Sequence, residues 1–427
     1  MALSIYYGQY HYDGHHYGLI YDSADELTMG KKPYKEIFLL YGMVTTLIHS
    51  LSLKIFDNNI FSPFIITSIF FSISLIMTFY ISKKFMSEKL SFFVTASIFF
   101  IHPMIEYPWS NYILFFFICL SFLLFYSKNN KLFYLSAIFL GTTILIREGI
   151  AFYVFIILIY LLFLSLFSNN KEFKEKYLKI KILNFFFITA IPFLILILYL
   201  YQSDLISFFL EYLRLPGIYF EMYDTNIIKL FLSLIKFLYV DSIKKIIIEP
   251  YIFLFGISFL INTIYCSNII ISIFKKKKIK TIDLEISIIS LMSILLYGLS
   301  LNEINIFRLI CGSSLGFILI FYLIDKLKDK ILKKSLMYTF IFLSFAGFSL
   351  FEKNSSNNIF KLTSEIEKTR HSNLNNFKWS KFDDQTFFNL EESNRIFSNI
   401  SSKCNLEYFV NLQRDVYYKI LTEVKGR

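Results

Sequence analysis

Charge is what this chain has least of. Only 18% of its 427 residues are charged while 56% are hydrophobic, a balance that excludes an ordinary water-soluble domain of this length. Cysteine is scarce as well. Cys119, Cys266, Cys311 and Cys404 are scattered, three of them inside apolar runs, which excludes both a disulfide framework and the close pairs that hold zinc. No internal repeat is visible, so the inverted-repeat signature of many secondary transporters is unsupported. Alanine and glycine are few against 52 Phe and 30 Tyr. That is the mark of a compositionally biased genome, and enrichment in a single residue type therefore says little about function.

What is present is a series of apolar runs. At 1.5 Å per helical residue, a hydrocarbon core of about 30 Å needs roughly 20 residues. Such runs recur near residues 61–82, 90–106, 109–126, 132–148, 150–168, 182–201, 248–273, 284–301, 307–324 and 335–351. The expected fold is an all-α polytopic membrane protein of about ten transmembrane helices. It divides into an outer first loop with short helices (1–59), a helical membrane domain (60–351) and a small outer C-terminal region (352–427). The net charge of +11 comes mostly from lysines in alternate loops: Lys83, Lys84 and Lys89; Lys128 and Lys131; Lys171 to Lys181; Lys275 to Lys280; Lys326 to Lys334. The positive-inside rule makes those loops cytoplasmic and removes the need for a nucleic-acid partner. The complementary loops then face outward.

The first sixty residues are unusual for a segment on the outside, because no hydrophobic signal precedes Asp13 to carry it across; a preceding span is expected. Within it run Tyr12-Asp13-Gly14-His15-His16-Tyr17-Gly18, then Asp22, Asp25 and Glu26, then Gly30-Lys-Lys-Pro33-Tyr34-Lys-Glu36-Ile-Phe38, then Tyr41-Gly42. In residues 43–56, Leu47, Leu51 and Ile55 share one helical face, as in a helix lying on the membrane. Residues 227–240, broken by Lys229 and Lys236, are likewise too amphipathic to span. Asp22, Asp25 and Glu26 read as acids near a helix N-terminus.

Arginine is used sparingly. Up to residue 351 there are only Arg147, Arg214 and Arg308, all on the outward side, whereas the cytoplasmic loops use lysine. A guanidinium offers a planar fork matched to phosphate oxygens, which makes Arg147 and Arg308 candidate phosphate ligands. Arg147 adjoins Glu148, so an ion pair is the plain structural alternative. Arg214 belongs to the long outer loop, either lining a substrate entrance or sitting at headgroups. The outward turn from His102 to Asn111 contains Glu106, an acid at a span end that is costly unless it faces a wet cavity; Trp109 there is expected to anchor at the interface.

The pattern Asp13, a small-residue helix at Ala24, Gly30-x-x-Pro33-Tyr34-x-Glu36-Ile-Phe and Tyr41-Gly42 resembles the multispanning glycosyltransferases of the C-type superfamily, over about residues 10–150. The resemblance implies an inverting enzyme that takes a sugar from a polyprenyl-phosphate carrier at the non-cytoplasmic face of a bacterial inner membrane and passes it to a lipid-linked or surface glycan. It implies Asp13 as general base, with Glu36 and Glu106 as further carboxylates, and His15, His16, Tyr34, His102, Arg147, Arg214 and Arg308 around the substrates. Gly14 stands where many relatives carry a second acid, which argues against a metal-assisted variant. No cofactor is expected; His11, Asp13, His15 and His16 match no standard spacing for a divalent cation. A transporter or flippase of lipid-linked saccharide, or an O-antigen polymerase or ligase, are the competing expectations.

Overall fold

The computed structural model describes residues 1–9, 16–39, 41–105, 107–177, 179–214, 226–241, 243, 250–301 and 306–354, with short stretches of the C-terminal region. The chain forms two compact units. One gathers Met1–Phe70, Met104–Trp109 and Glu352–Arg427; the other gathers Phe71–Pro103 and Ser110–Phe351.

In the first unit, helices α1 (Ala2–Gly8), α2 (His16–Thr28) and α3 (Met43–Ile55) precede the opening half of α4 (Ser62–Ser82). Helix α3 has its amphipathicity turned inside out. Thr45, Thr46, His49, Ser50 and Ser52 are buried, while Leu47, Leu51 and Ile55 are 46%, 55% and 59% exposed. An apolar face left outside and a hydroxyl-rich face kept inside is what a lipid surface selects. The buried side is satisfied: Thr67 donates to the Pro63 carbonyl (2.7 Å), so its oxygen is left to accept from His49 Nε2 at 3.3 Å. Burial pushes the His49 imidazole down to about 3, so it stays neutral. In the C-terminal region, Thr369–His371 pairs antiparallel with Lys381–Asp383, and Tyr408–Phe409 pairs in parallel with Lys425–Gly426.

The second unit holds the rest of α4, then α5 (Glu88–Ile101), α6 (Ser110–Phe125), α7 (Asn130–Ile146), α8 (Ala151–Phe167), α9 (Lys171–Lys176), α10 (Lys179–Gln202), α11 (Ile206–Tyr212), α12 (Ile227–Lys236), α13 (Pro250–Phe274), α14 (Thr281–Leu296), α15 (Ile306–Ile310), α16 (Gly316–Asp325) and α17 (Lys330–Asn354). Among the described residues five helical segments are long and apolar enough to cross a membrane: Ser62–Ser82, Glu148–Phe167, Lys181–Gln202, Pro250–Phe274 and Thr281–Ser300. The protein thus has the helices of a multi-pass membrane protein. Helices α5, α6 and α7, with 14, 16 and 17 residues, reach about 21 to 26 Å at 1.5 Å per residue. The run at 307–324 is interrupted: Gly312 takes φ 95° between α15 and the 3-10 turn Ser313–Leu315, a conformation that only glycine adopts freely. As the sequence suggests, residues 227–236 form an amphipathic helix, with Ile227, Ile228, Phe231 and Leu232 exposed and Leu234 buried.

Small and polar side chains draw these helices together, as expected where lipid removes the hydrophobic drive between them. Helix α7 packs on α10 with Gly141 against the Thr189 carbonyl; a Cβ built on Gly141 would come within 2.0 Å of that oxygen. Pro192 follows one turn later. Helices α13, α14 and α16 meet along a polar seam in which Asn262 donates to the carbonyls of Ser258 (2.7 Å) and Gly316 (3.2 Å), and Tyr297 donates to the carbonyl of Phe255 (2.7 Å).

The Lys-rich ends of the same helices are tied by charge. Glu285 is buried in α14, and its Oε1 accepts from Lys176 Nζ at 2.5 Å and Tyr177 Oη at 2.8 Å, while Tyr126 donates to its backbone carbonyl at 2.9 Å. Burial raises the Tyr177 phenol well above its ordinary range, with the Glu285 charge adding to it. Burial also lowers Lys84, helped by Lys176 and opposed by Glu285. Two residues earlier, Asp283 accepts from Lys326 (2.6 Å), Tyr322 (2.8 Å) and Tyr265 (3.0 Å). Around them the rings of Phe125 and Tyr177 stack at 5.3 Å and those of Phe133 and Phe185 meet at 5.0 Å.

Candidate functional site

At the opposite ends of the helices in the second unit, polar groups are buried without being fully used. Ser110 and Asn111 open α6 and are completely buried. Arg147, in extended backbone between α7 and the 3-10 turn Glu148–Ile150, donates through Nη1 to Asn111 Oδ1. That leaves Asn111 Nδ2 and Ser110 Oγ with no hydrogen-bond partner among the described residues, and Glu148 Oε1 is in the same position. The other Glu148 oxygen accepts from Tyr212 of α11 at 3.2 Å. Arg147 and Glu148 therefore direct their hydrogen bonds to different elements. The chain can place them so because α7 ends at Ile146, so the two residues leave the helix before α8 begins.

The break between α14 and α16 supplies further polar atoms at its own polar edge. Ser300 and Ser313 are fully buried and their hydroxyls have no partner among the described residues. Arg308 is buried in α15, its guanidinium 5.8 Å from the Phe307 ring. Gly298, in the 3-10 turn Tyr297–Ser300, lets the Tyr153 hydroxyl of α8 approach: a Cβ built on Gly298 would lie 1.8 Å from it. His102, capping α5, shares a hydrogen with Tyr112 across 2.6 Å, ring stacked on ring. Each unsatisfied buried donor or acceptor costs about 1–3 kcal/mol. A group of them next to a guanidinium is what a polar ligand would complete.

No family model, curated protein or solved structure matches this chain. The site must therefore be read from its own chemistry. A cation, hydroxyl and amide donors, and one carboxylate acceptor form a set able to hold an anionic or polyhydroxylated group.

The remaining residues singled out by sequence fall as follows. Asp13, His15 and Glu106 lie outside the described residues. His16 opens α2. Glu36 lies seven positions before α3 begins; it is exposed, and its Oε2 accepts from the Lys32 amide at 2.7 Å in a turn where Tyr34 has φ 66°. Arg214 is exposed just after α11. Trp109 is 4% exposed between the rings of Tyr41 (5.4 Å) and Tyr107 (4.8 Å), so it packs inside the first unit.

Asp22, Asp25 and Glu26 do not sit near a helix N-terminus. Helix α2 begins at His16, which places them in its second half, where the dipole disfavours acids. Asp25 and Glu26 are held there by partners instead. Asn58 donates to Asp25 Oδ1 (3.2 Å) and accepts from Tyr21 (3.1 Å), and Lys31 pairs with Glu26. Ser110, Asn111, Ser300 and Ser313 escaped sequence reading altogether. Small polar residues at the edges of apolar runs carry no signal until their burial is known. Among the described residues no three His, Cys, Asp or Glu side chains stand close enough to hold a metal.

Proposed function

We propose that the chain is an inverting membrane glycosyltransferase that moves a sugar from a polyprenyl-phosphate carrier to a lipid-linked or surface glycan acceptor. In this reading the membrane domain crosses the bilayer ten times, the Lys-rich loops lie in the cytoplasm of a bacterium, and the site faces outward from the inner membrane. Arg147 grips the carrier phosphate with Arg308, Asp13 takes the proton of the acceptor hydroxyl, and the anomeric carbon is attacked as the phosphate leaves, inverting its configuration. Glu36 and Glu106 orient the substrates, and His15, His16, Tyr34, His102 and Arg214 contact them.

One observation supports the reading above the others. Arg147 is fixed by Asn111, while Ser110 Oγ, Asn111 Nδ2 and Glu148 Oε1 remain buried and unbonded among the described residues. A phosphate and the hydroxyls of a sugar would use the cation, the donors and the acceptor together. The test is transfer of label from radioactive polyprenyl-phosphate-sugar in membranes containing the protein. Asp13→Asn should abolish transfer at unchanged expression, and full activity in that variant would remove the assigned base.

A flippase reading has one observation of its own. Asn262 Oδ1, inside α13, is buried without a hydrogen-bond partner among the described residues, and polar atoms deep in a bundle can mark a transport path. A flippase would move the lipid-linked saccharide across the membrane with its phosphate bond intact, and the same labelled donor distinguishes the two outcomes.

A further inference from the structure

A groove in the side of the second unit stands apart from the polar site. It is bounded by α13, α16 and α17, measures about 350 Å³, and is lined by apolar side chains such as Leu254, Ile257, Ile320, Phe340 and Leu343, with Thr339 the one polar residue. That volume falls at the lower end of the range of sites that hold small ligands. The Thr339 hydroxyl alone is too little to orient a sugar, whereas a hydrocarbon chain fits the rest of the lining.

The occupant is indicated by charge at one mouth of the groove. Leu327 and Leu336 both line it, and the chain between them carries Lys328, Lys330, Lys333 and Lys334 with Asp329. The acids here are already engaged. Asp325 holds Lys333, Asp283 holds Lys326, and Asp329 caps α17 by accepting from the amides of Ile331 (2.8 Å) and Leu332 (3.2 Å). Lys328, Lys330 and Lys334 remain exposed, and no carboxylate pairs with them among the described residues. A hydrocarbon groove that opens beside the uncompensated ammonium groups of Lys328 and Lys330 matches an amphiphile with one apolar tail and an anionic head; Lys334, two residues before Leu336, falls on the other face of α17.

We propose that the groove binds an anionic bilayer phospholipid, with one acyl chain between α13, α16 and α17 and the headgroup phosphate on Lys328 and Lys330. This does not depend on the glycosyltransferase reading, since it uses none of the residues of that site. An annular lipid in free exchange would show no preference for its headgroup, whereas this site selects by charge and holds its tail in a shaped cavity. A lysine beside a phosphate-bearing surface strengthens association by about fivefold.

The test uses the full chain in phosphatidylcholine vesicles containing phosphatidylglycerol with a photoactivatable group on one acyl chain, followed by mapping of labelled peptides. Label is expected in the peptides around residues 253–261 and 336–343, with unlabelled phosphatidylglycerol competing better than phosphatidylcholine. Lys328 and Lys330, each changed to Gln, should each lower labelling by about fivefold, whereas Lys334→Gln on the other face of α17 should leave it unchanged. Ile257→Trp should fill the groove and remove label there, and Leu343→Trp provides the same readout should the first variant unfold. The proposal is overturned by equal competition from phosphatidylcholine, by label spread evenly onto the exposed face of Phe152, Phe155 and Ile159, by stronger competition from polyprenyl phosphate, or by cross-linking that captures a second copy of the chain.

Discussion

The two ends of the second unit handle buried polarity in opposite ways. At the Lys-rich end the acids are answered: Glu285 by Lys176 and Tyr177, Asp283 by Lys326, Tyr322 and Tyr265, and Glu172 by Thr281 at 2.6 Å. Ser168 Oγ is the exception there. At the other end, Ser110, Asn111, Glu148, Ser300 and Ser313 each keep an atom without a hydrogen-bond partner among the described residues. A satisfied network fixes a structure, whereas an unsatisfied one waits for something to complete it. Under the proposed reading, one end serves stability and the other binding.

The largest expected effect breaks the binding end. Arg147→Ala removes the guanidinium and frees Asn111; transfer from labelled polyprenyl-phosphate-sugar should fall by about 100-fold or more, the scale seen when one electrostatic stabiliser of a transition state is lost. Thermal unfolding in detergent should change little by comparison. If Arg147→Lys keeps full activity, a point charge suffices and the planar fork is not what matters; full activity in Arg147→Ala would make the phosphate assignment wrong.

The reverse pattern should appear at the Lys-rich end. Glu285→Ala leaves Lys176 and Tyr177 without their acceptor. Loss of one partner in a buried pair costs about 3–5 kcal/mol, and because Lys176 is about one-third exposed, about 2 kcal/mol is expected here. Unfolding in denaturant measures it, and activity per folded molecule should be retained. Activity lost in proportion beyond the unfolded fraction would mean that the two ends are not separate in role.

The rule extends to the first unit through His49. Its folded value of about 3 lies below the ordinary 6.5, so the unfolded chain binds the additional proton. Stability contributed by the neutral ring is complete above about pH 6.5, and falls by about 1.4 kcal/mol per pH unit as the pH drops toward 3. His49→Gln should flatten that part of the profile of unfolding free energy against pH. An unchanged slope would show that His49 is solvated.

The smallest effect is the sharpest test of the comparison. Ser300→Ala and Ser313→Ala remove hydroxyls that have no partner among the described residues, so melting temperatures should hold or rise slightly. Ser293→Ala, which removes the donor to the Ser313 carbonyl, should lower stability by about 1 kcal/mol. Equal losses in all three would show that the unpaired hydroxyls are bonded after all.

Much of the scaffold was legible because lipid imposes a simple rule on sequence. Runs of about 20 apolar residues gave the positions of Ser62–Ser82, Pro250–Phe274 and Thr281–Ser300, and the 3.6-residue period of Leu47, Leu51 and Ile55 gave the outward face of α3. The break at Gly312 was not legible, because a glycine in an apolar run looks the same whether it permits close packing or takes positive φ. The site was legible only in its charged members. Arg147 stood out by rarity, but its partner Asn111 lies 36 positions away at a helix start, and only tertiary packing brings the two together. Asp25 and Glu26 were misplaced for a local reason: the start of α2 at His16 had no capping signal strong enough to fix it, and an error of two turns moves an acid from a favourable helix end to an unfavourable one.

Helix α3 hides its hydroxyls and shows its hydrocarbon, so its sequence encodes a choice of solvent as well as a shape. A form of the first unit meant to live in water would have to reverse that preference. Replacing Leu47, Leu51 and Ile55 with glutamate or lysine would be the place to begin, since the side that His49 and Thr67 hold in place could be left as it is.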